Sequence, residues 1–364
     1  MFKIELFALI SVNKGFEILF DGKINPLPLE FIEEDSRTNV LVKFNSFKEL
    51  FYYTYMNQLA NDVSILLDRK KDIDSLVLPS FFYEVMPADS TFKILSKVGY
   101  DIARLFKDYK VDLKNPDFNI YLKNLKDEFF LTLDISGDLS VRDYKIFNTP
   151  LSLKGTTAFG VLMLSGYSKG KSLLNPLCNS GVLEIEAALY NSGISPKHYN
   201  IEIPFKRLNV DFDIEKFFSD INHSIDSTKV DPTKIKIVSA DPLLKNITAA
   251  KKNAKIAGVE KYIDFRRIDI DWMDIKHDEN AFDFIITFIP GSSKNKNINT
   301  LMKEFDTFFY NSEYILKKTG VLSILCISRD LLLTSASKYF ELREIKNFYS
   351  GTQLMNLLLL NKRK

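Results

Sequence analysis

Hydrophobic and polar residues are patterned differently in the two halves of the chain. Before Leu151, short apolar runs stand between turns, and this pattern predicts a mixture of strands and helices. The predicted strands are Phe2–Ile10, Val40–Phe44, Val63–Leu67, Phe81–Val85, Phe118–Leu122 and Glu128–Asp134. The predicted helices are Lys14–Phe20, Phe47–Ala60 and Thr91–Lys107, and the last of them has its apolar residues on one helical face.

From Leu151 onward, predicted strands and helices alternate, which is typical of a parallel sheet with helices on both faces. The predicted strands are Leu173–Leu174, Ile235–Ala240, Ile263–Ile268, Phe282–Phe288, Val321–Ile327 and a closing pair, Leu342–Phe348 and Leu354–Leu360. The predicted helices are Leu153–Ser165, one that begins at Val182, Leu243–Ala257, Leu301–Lys318 and Asp330–Tyr339. The polar segment Asn191–Pro232 has mixed periodicity and is interpreted as an insertion.

One stretch in the second half, LLNPLCNSGVLEIEAAL at residues 173–189, predicts a strand, a tight turn and a helix. Asn175-Pro176 ends the apolar run, Asn179-Ser180-Gly181 forms the turn, and apolar residues then recur at helical spacing. In a parallel sheet such a turn lies at the carboxyl edge, where a ligand can approach backbone N–H groups and the helix N-terminus. A strand-to-helix loop without a ligand fits the same pattern.

Composition narrows the class of protein but not its partner. With 364 residues and 46% hydrophobic content, the chain has room for two or three domains with their own cores. The absence of a long apolar run or a signal peptide predicts a cytoplasmic protein without a membrane partner. The cysteines Cys178 and Cys326 are far apart, and the three histidines lack ligand spacing, so neither a metal site nor a disulfide framework is expected. A net charge of +2 leaves nucleic-acid binding open.

Two neighbouring segments resemble the signature of the THUMP domain, an RNA-binding module of tRNA-modifying enzymes, and a third resembles that family's connector to its catalytic domain. They are KVDLKNPD at 110–117, LDISGD at 133–138 and the connector-like VRDYKIFNTP at 141–150. The resemblance implies an N-terminal ferredoxin-like unit at 1–67 and a THUMP domain at 68–140. A linker at 141–152 and a class I methyltransferase-like domain at 153–364 would follow.

Segments 151–189 and 238–259 resemble the THUMP-containing tRNA guanine-N2 methyltransferases, relatives of the large-subunit rRNA guanine methyltransferases. The implied fold is α/β, with a Rossmann-like seven-stranded methyltransferase domain preceded by ferredoxin-like and THUMP α/β domains. The family's first motif reads about DPxCGSGTxxIEAA, so Asn175 stands at its aspartate and Asn179 at one of its glycines. Asp241 matches the acid that accepts hydrogen bonds from the cofactor ribose, and Asp269 matches the residue that faces the adenine amine. The resemblance therefore implies an S-adenosylmethionine site made by Asn175, Leu177, Asn179, Gly181, Asp241 and Asp269.

The reaction motif departs from the family pattern. Relatives that methylate an exocyclic nitrogen carry Asn or Asp, two prolines and an aromatic after the fourth strand, to hold the amine and stack on the flipped base. Here the corresponding residues are Phe288, Ile289, Pro290 and Gly291, which include no amine acceptor. Phe288 could stack on a base, or Phe288 and Ile289 could extend the strand into the core. The nearest replacement acceptors are Ser292 and Asn295.

These observations lead to one favoured hypothesis and two alternatives. In the favoured hypothesis, the protein binds tRNA or another structured RNA and its catalysis is impaired or lost. It would act as an RNA-binding subunit or as the partner subunit of an active methyltransferase. The proposed phosphate contacts are Lys110, Lys114, Arg142, Lys145 and the tail Lys362–Lys364. The alternatives are an active, divergent S-adenosylmethionine-dependent tRNA (guanine-N2) methyltransferase and an interaction protein without an RNA role.

Overall fold

The computed structural model describes residues 5–96, 102–199, 203–227, 230–290 and 297–363. They form two compact units, and each is discontinuous in sequence. The first unit contains Met1–Ser140 and Lys197–Ser227, and the second contains Val141–Pro196 and Thr228–Lys364. Within these described ranges, no helix has both the length and the hydropathy needed to cross a membrane.

The elements are numbered in chain order. The strands are β1 Leu6–Asn13, β2 Pro28–Glu34, β3 Arg37–Phe44, β4 Asp62–Lys70, β5 Thr91–Ser96, β6 Lys110–Val111, β7 Phe118–Leu125, β8 Glu128–Asp134, β9 Leu173–Asn175, β10 Ile237–Asp241, β11 Ile263–Arg267, β12 Phe282–Phe288, β13 Leu316–Cys326, β14 Phe340–Ser350 and β15 Gln353–Lys362. The α-helices are α1 Phe47–Met56, α2 Ser80–Val85, α3 Gly155–Leu164, α4 Val182–Ser192, α5 Ile214–Ser227, α6 Leu244–Ile256, α7 Met273–Lys276, α8 Ile298–Ile315 and α9 Asp330–Ala336.

The first unit is built on one mixed sheet with the strand order β2-β3-β1-β4-β8-β7-β5-β6. Most neighbouring strands are antiparallel, whereas β5 runs parallel to both β6 and β7. Strands from both sides of residue 67 share this sheet, since β4 pairs with β8. The division into a ferredoxin-like unit and a THUMP domain at that position stays a prediction.

The segment that the sequence left unassigned completes the core of the first unit. Phe205 stacks on Phe51 of α1 with ring centroids 4.5 Å apart, and Phe218 of α5 stacks on Phe205 at 5.3 Å. All three rings are buried. Residues 197–227 therefore belong structurally with the first unit, although the sequence analysis included them in 153–364.

The second unit contains a seven-stranded sheet with the order β11-β10-β9-β12-β13-β15-β14. The first five strands are parallel, and β15 lies antiparallel between β13 and β14. The predicted Rossmann-like domain is confirmed, including its closing antiparallel pair. The carboxyl ends of β9, β10, β11 and β12 meet at one edge of the sheet, where ligands bind in such folds.

Two predicted elements of the first unit are wrong. Phe81–Val85 is helical and belongs to α2, which begins at Ser80 directly after Pro79. Thr91–Ser96, predicted as helix, is strand β5, in which Phe92 pairs with Phe118 of β7. Apolar spacing alone cannot distinguish a short strand from a buried helix, and here a strand 26 residues away decides the conformation. Part of the predicted helix Thr91–Lys107 lies outside the described residues.

Candidate cofactor and RNA-binding site

The predicted ligand turn lies between β9 and α4. Asn179 and Gly181 both have left-handed backbone conformations, with φ of 53° and 77°. A Cβ atom on Gly181 would lie 2.7 Å from the Cβ of Ala250 on α6. Glycine is therefore required here for its backbone conformation and because α6 packs closely against the turn.

Asp241 at the end of β10 is buried against this turn, with 2% of its surface exposed. Its Oδ2 accepts a hydrogen bond from the backbone N–H of Asn179 at 3.1 Å. Its Oδ1 accepts from the backbone N–H of Leu243 at 2.9 Å and from Nδ2 of Asn246 at 3.0 Å. A carboxylate has about four acceptor positions, so three donors of the protein itself occupy most of this group.

The two asparagines that replace family residues also satisfy their hydrogen bonds within the turn. The Nδ2 of Asn179 donates to the carbonyl of Leu177 at 3.0 Å. The Oδ1 of Asn175, which is almost completely buried, accepts from the backbone N–H of Leu177 at 3.2 Å. Both side chains therefore stabilise the observed conformation of the turn.

A small cavity lies beside the turn, between the turn and residues 151–153. The cavity has a volume of about 20 Å³, enough for one water molecule. Pockets that bind ligands of this size enclose roughly 300–1,000 Å³. The cavity is lined by Leu151, Ser152, Leu153, Asn175, Leu177, Cys178, Asn179, Ser180, Val182, Leu183 and Phe288. Asp241 and Asp269, the two acids that the resemblance assigns to the cofactor ribose and adenine, do not line this cavity.

Two residues of the reaction motif, Phe288 and Ile289, lie beside this cavity and in the core. Phe288, the last residue of β12, is half-buried and lines the small cavity. Ile289 continues the strand into the core, where its N–H donates to the carbonyl of Leu325 at 2.9 Å. Pro290 follows at an intermediate exposure. Gly291 and the two replacement acceptors lie outside the described residues.

Asp269 differs from the other predicted cofactor residues because it is exposed. It precedes a short 3-10 helix, Ile270–Trp272, and caps this helix with its backbone carbonyl rather than with its side chain. The neighbouring Ile268 donates its N–H to the carbonyl of Asp241 at 3.3 Å. The carboxylate that matches the adenine-facing residue is thus open to solvent beside the buried Asp241.

A buried acid that the sequence analysis missed lies on the first turn of α4. Glu184 is completely buried, and the hydroxyl of Ser239 donates to its Oε1 at 3.1 Å. Burial raises the pKa of Glu184 to about 8, with hydrogen bonds from Ser239 and Asn175 opposing that shift. The carboxyl group is therefore protonated at neutral pH. The signal in the sequence was a pair of acids, Glu184 and Glu186, among the apolar residues that begin this helix.

Arg142, predicted to contact RNA phosphate, has a different role. Its side chain is completely buried, and its Nε donates to Oε1 of Glu186 at 2.7 Å. The hydroxyl of Tyr144 donates to the same oxygen at 2.7 Å. A Cβ on Gly155 would lie 2.7 Å from that oxygen, so the cluster leaves no room for a side chain at position 155. This prediction needs correction, because a buried, paired guanidinium cannot reach a phosphate.

The predicted linker is packed into the second unit rather than extended. The backbone N–H and carbonyl of Phe147 both bond to the side-chain amide of Asn253 on α6, each at 3.0 Å. The Nδ2 of Asn253 also donates to the carbonyl of Ser180, at 3.0 Å. One buried asparagine thus joins the connector, the turn and α6.

The other predicted phosphate contacts are more accessible. Lys110 on β6 and Lys114 after it are exposed, and no described carboxylate pairs with their side chains. Lys145 is half-buried, and burial together with the nearby charge of Lys154 lowers its pKa. In the tail, the Nζ of Lys362 lies 3.7 Å from the carboxylate of Glu313.

Comparison with known proteins identifies the class to which the second unit belongs. The model of the UPF0020 family, described as an RMKL-like methyltransferase domain, matches residues 142–355. This range covers more than half of the chain and includes the β9–α4 turn, Asp241 and Phe288. The chain belongs to this methyltransferase family.

A curated relative and two solved structures extend this assignment. The tRNA (guanine(6)-N2)-methyltransferase of Methanocaldococcus jannaschii is 28% identical over 253 residues, 68% of this chain and 62% of that protein. The chain thus matches less than two thirds of that relative's length. SMU.472, solved in complex with SAH, has a TM-score of 0.78 over 100% of both chains at 17% identity. TrmN from Thermus thermophilus has a TM-score of 0.71 over 98% of this chain and 100% of its own, at 19% identity. These two structures share the fold.

Proposed function

We propose that this protein binds tRNA, or another structured RNA, and does not itself transfer methyl groups. The observation that carries the proposal is the closed turn, in which Asn179 and Phe288 line a cavity of only about 20 Å³. Three donors of the protein itself already bond to the carboxylate of Asp241, the expected ribose acceptor. These two features support the proposal that the chain does not bind S-adenosylmethionine, the expected cofactor.

Two features support the RNA-binding part of the proposal. The matched relative is named as a tRNA methyltransferase. Lys110 and Lys114 are exposed, have no ionic partner among the described residues, and lie in the segment that resembles a THUMP domain. Lys145 and Lys154 form a second basic pair in the other unit. Lysines without carboxylate partners are suited to phosphate contacts. We therefore retain the ferredoxin-like unit, the THUMP domain and these lysines as part of the proposal.

A chain that binds RNA but lacks its cofactor contributes to methylation through a catalytic partner. We propose that such a partner is an active methyltransferase subunit, and that the complex acts on RNA in the cytoplasm. Co-purification with a tagged form of the full chain, followed by a methylation assay with bulk tRNA, tests this part separately.

One observation favours the second candidate, an active tRNA (guanine-N2) methyltransferase. The carboxylate of Asp269 is exposed at the end of β11, where an adenine amine would be recognised. Incubation of the chain alone with labelled S-adenosylmethionine and tRNA separates the two functions. Our proposal predicts incorporation no higher than in the reaction without protein, whereas transfer by the chain alone would establish the second candidate.

RNA binding is tested by the salt dependence of tRNA affinity. The variant K110A/K114A removes two proposed phosphate contacts, so the slope of log K against log salt should fall by about two. A matched control, K23A/K71A, removes two other exposed lysines of the first unit and should keep the slope. Binding that is independent of salt, or equal losses in both variants, would contradict the proposed contacts.

A further inference from the structure

A second cavity of the methyltransferase-like unit lies away from the β9–α4 turn. Its volume is about 450 Å³, and its lining includes Ile237, Ile263 and Phe282, which are the first residues of β10, β11 and β12. The turn and Asp241 lie at the opposite, carboxyl ends of these parallel strands. The family resemblance assigns no role to this amino edge.

Basic residues predominate around the cavity. Four basic side chains line it against two carboxylates: Lys236, Lys261, Arg266 and Lys276, with Asp264 and Asp278. Asp264 is already engaged, because its Oδ2 accepts from Nε of Arg266 at 2.7 Å. The side chain of Lys276, in contrast, has no described ionic partner. The cavity thus has an excess of about two positive charges.

A buried histidine forms part of the wall. His277 packs edge-on against the ring of Phe282 at 5.1 Å between centroids, and its Nε2 has no hydrogen-bond partner in the described part of the chain. Burial, together with the charges of Arg266 and Lys236, lowers the pKa of His277 to about 4, while Asp264 and Asp278 oppose this shift. An imidazole in this position is neutral until an anion compensates the surrounding charge.

We propose that this cavity binds a phosphate ester of nucleotide size. A phosphate monoester carries about −1.5 to −2 charges near neutral pH and an RNA phosphodiester carries about −1, so the excess of positive charge can compensate either group. Lysine ammonium groups bind phosphate as point charges, and the cavity volume lies in the range of small-ligand sites. The phosphate can belong to a free nucleotide or to an RNA backbone, and the experiment distinguishes these sources. Binding of a free nucleotide does not depend on the proposed tRNA function.

The test uses the full chain and follows the imidazole of His277 by NMR. Inorganic phosphate, a nucleoside monophosphate and a short RNA are added in separate titrations. We expect saturable shifts of the His277 signals and an upward shift of its titration midpoint by about one unit or more. A response to the monophosphate identifies a free-nucleotide site, and a response to RNA alone identifies a backbone contact.

A matched pair of variants links the response to the cavity. Lys276 and Lys255 are both exposed lysines in the last turn of a helix, but only Lys276 lines the cavity. The variant K276A should weaken binding about tenfold, whereas K255A should leave it unchanged. Unmoved His277 signals with all three probes, or equal weakening in the two variants, would overturn the proposal.

Discussion

Replacing Arg142 with methionine tests whether this residue stabilises the fold or contacts RNA. The substitution keeps an apolar chain of similar length but leaves the carboxylate of Glu186 buried without its cation. In the native structure, the two side chains are 0% exposed and are joined at 2.7 Å and 3.2 Å. Breaking a buried ion pair by removing one partner costs about 3–5 kcal/mol.

This loss predicts a large change in thermal unfolding. For a unit of this size, each kcal/mol lowers the melting temperature by roughly 2–4 °C, so R142M should melt roughly 6–20 °C below the native protein. Scanning calorimetry of the full chain measures the transition of the second unit. The double variant R142M/E186M should recover most of the loss, because it removes the uncompensated charge, while the Tyr144 hydroxyl loses its bond to Glu186.

The same variants can refute the reasoning. If R142M melted within about 2 °C of the native protein, the buried pair would not have the stabilising role that its geometry implies. If melting were unchanged while tRNA affinity fell, Arg142 would be an RNA contact as the sequence first suggested. If Arg142 has only a structural role, the R142M/E186M variant should bind tRNA as tightly as the native protein does.

Two further predictions concern the turn and its buried acid. Gly181→Ala should destabilise the second unit by about 1–3 kcal/mol more than Gly170→Ala. Both glycines have a positive φ, but only a Cβ at position 181 would collide with Ala250. Equal melting temperatures of the two variants would contradict this packing argument. The pKa of Glu184 is raised from 4.5 to about 8 on folding, so its contribution to stability is full below about pH 4.5 and is lost as the pH rises to about 8. Melting curves from pH 5 to 8.5 should therefore show the native protein losing stability relative to Glu184→Gln, and a constant difference between them would count against the raised pKa.

Much of the second unit could be predicted from sequence because its local patterns agree with its long-range contacts. The predicted strand Phe282–Phe288 has the same bounds as β12, since a continuous apolar run is what a strand buried on both faces requires. In the first unit, Thr91–Ser96 was misassigned because its apolar spacing also fits a helix. Pairing with β7 decided its conformation, and sequence periodicity carries no information about such a partner.

The positions of the turn and of Asp241 were predictable, but the small cavity beside the turn was not. The turn at Asn179 and the strand end at Asp241 follow from local sequence. The small cavity depends on how Asn179 and Phe288, which are far apart in the chain, are placed beside each other. The role of Arg142 was hidden for the same reason, because its partner Glu186 lies 44 residues away.

The central claim is that side chains of the protein close the cofactor site, and calorimetry with S-adenosylmethionine tests it most directly. Titration of the full-length native chain should give no binding heat at ligand concentrations up to about 1 mM, which corresponds to a binding free energy weaker than about −4 kcal/mol. A saturable isotherm with a micromolar dissociation constant would contradict the account. It would mean that the turn opens and that Asp241 exchanges its internal donors for the cofactor.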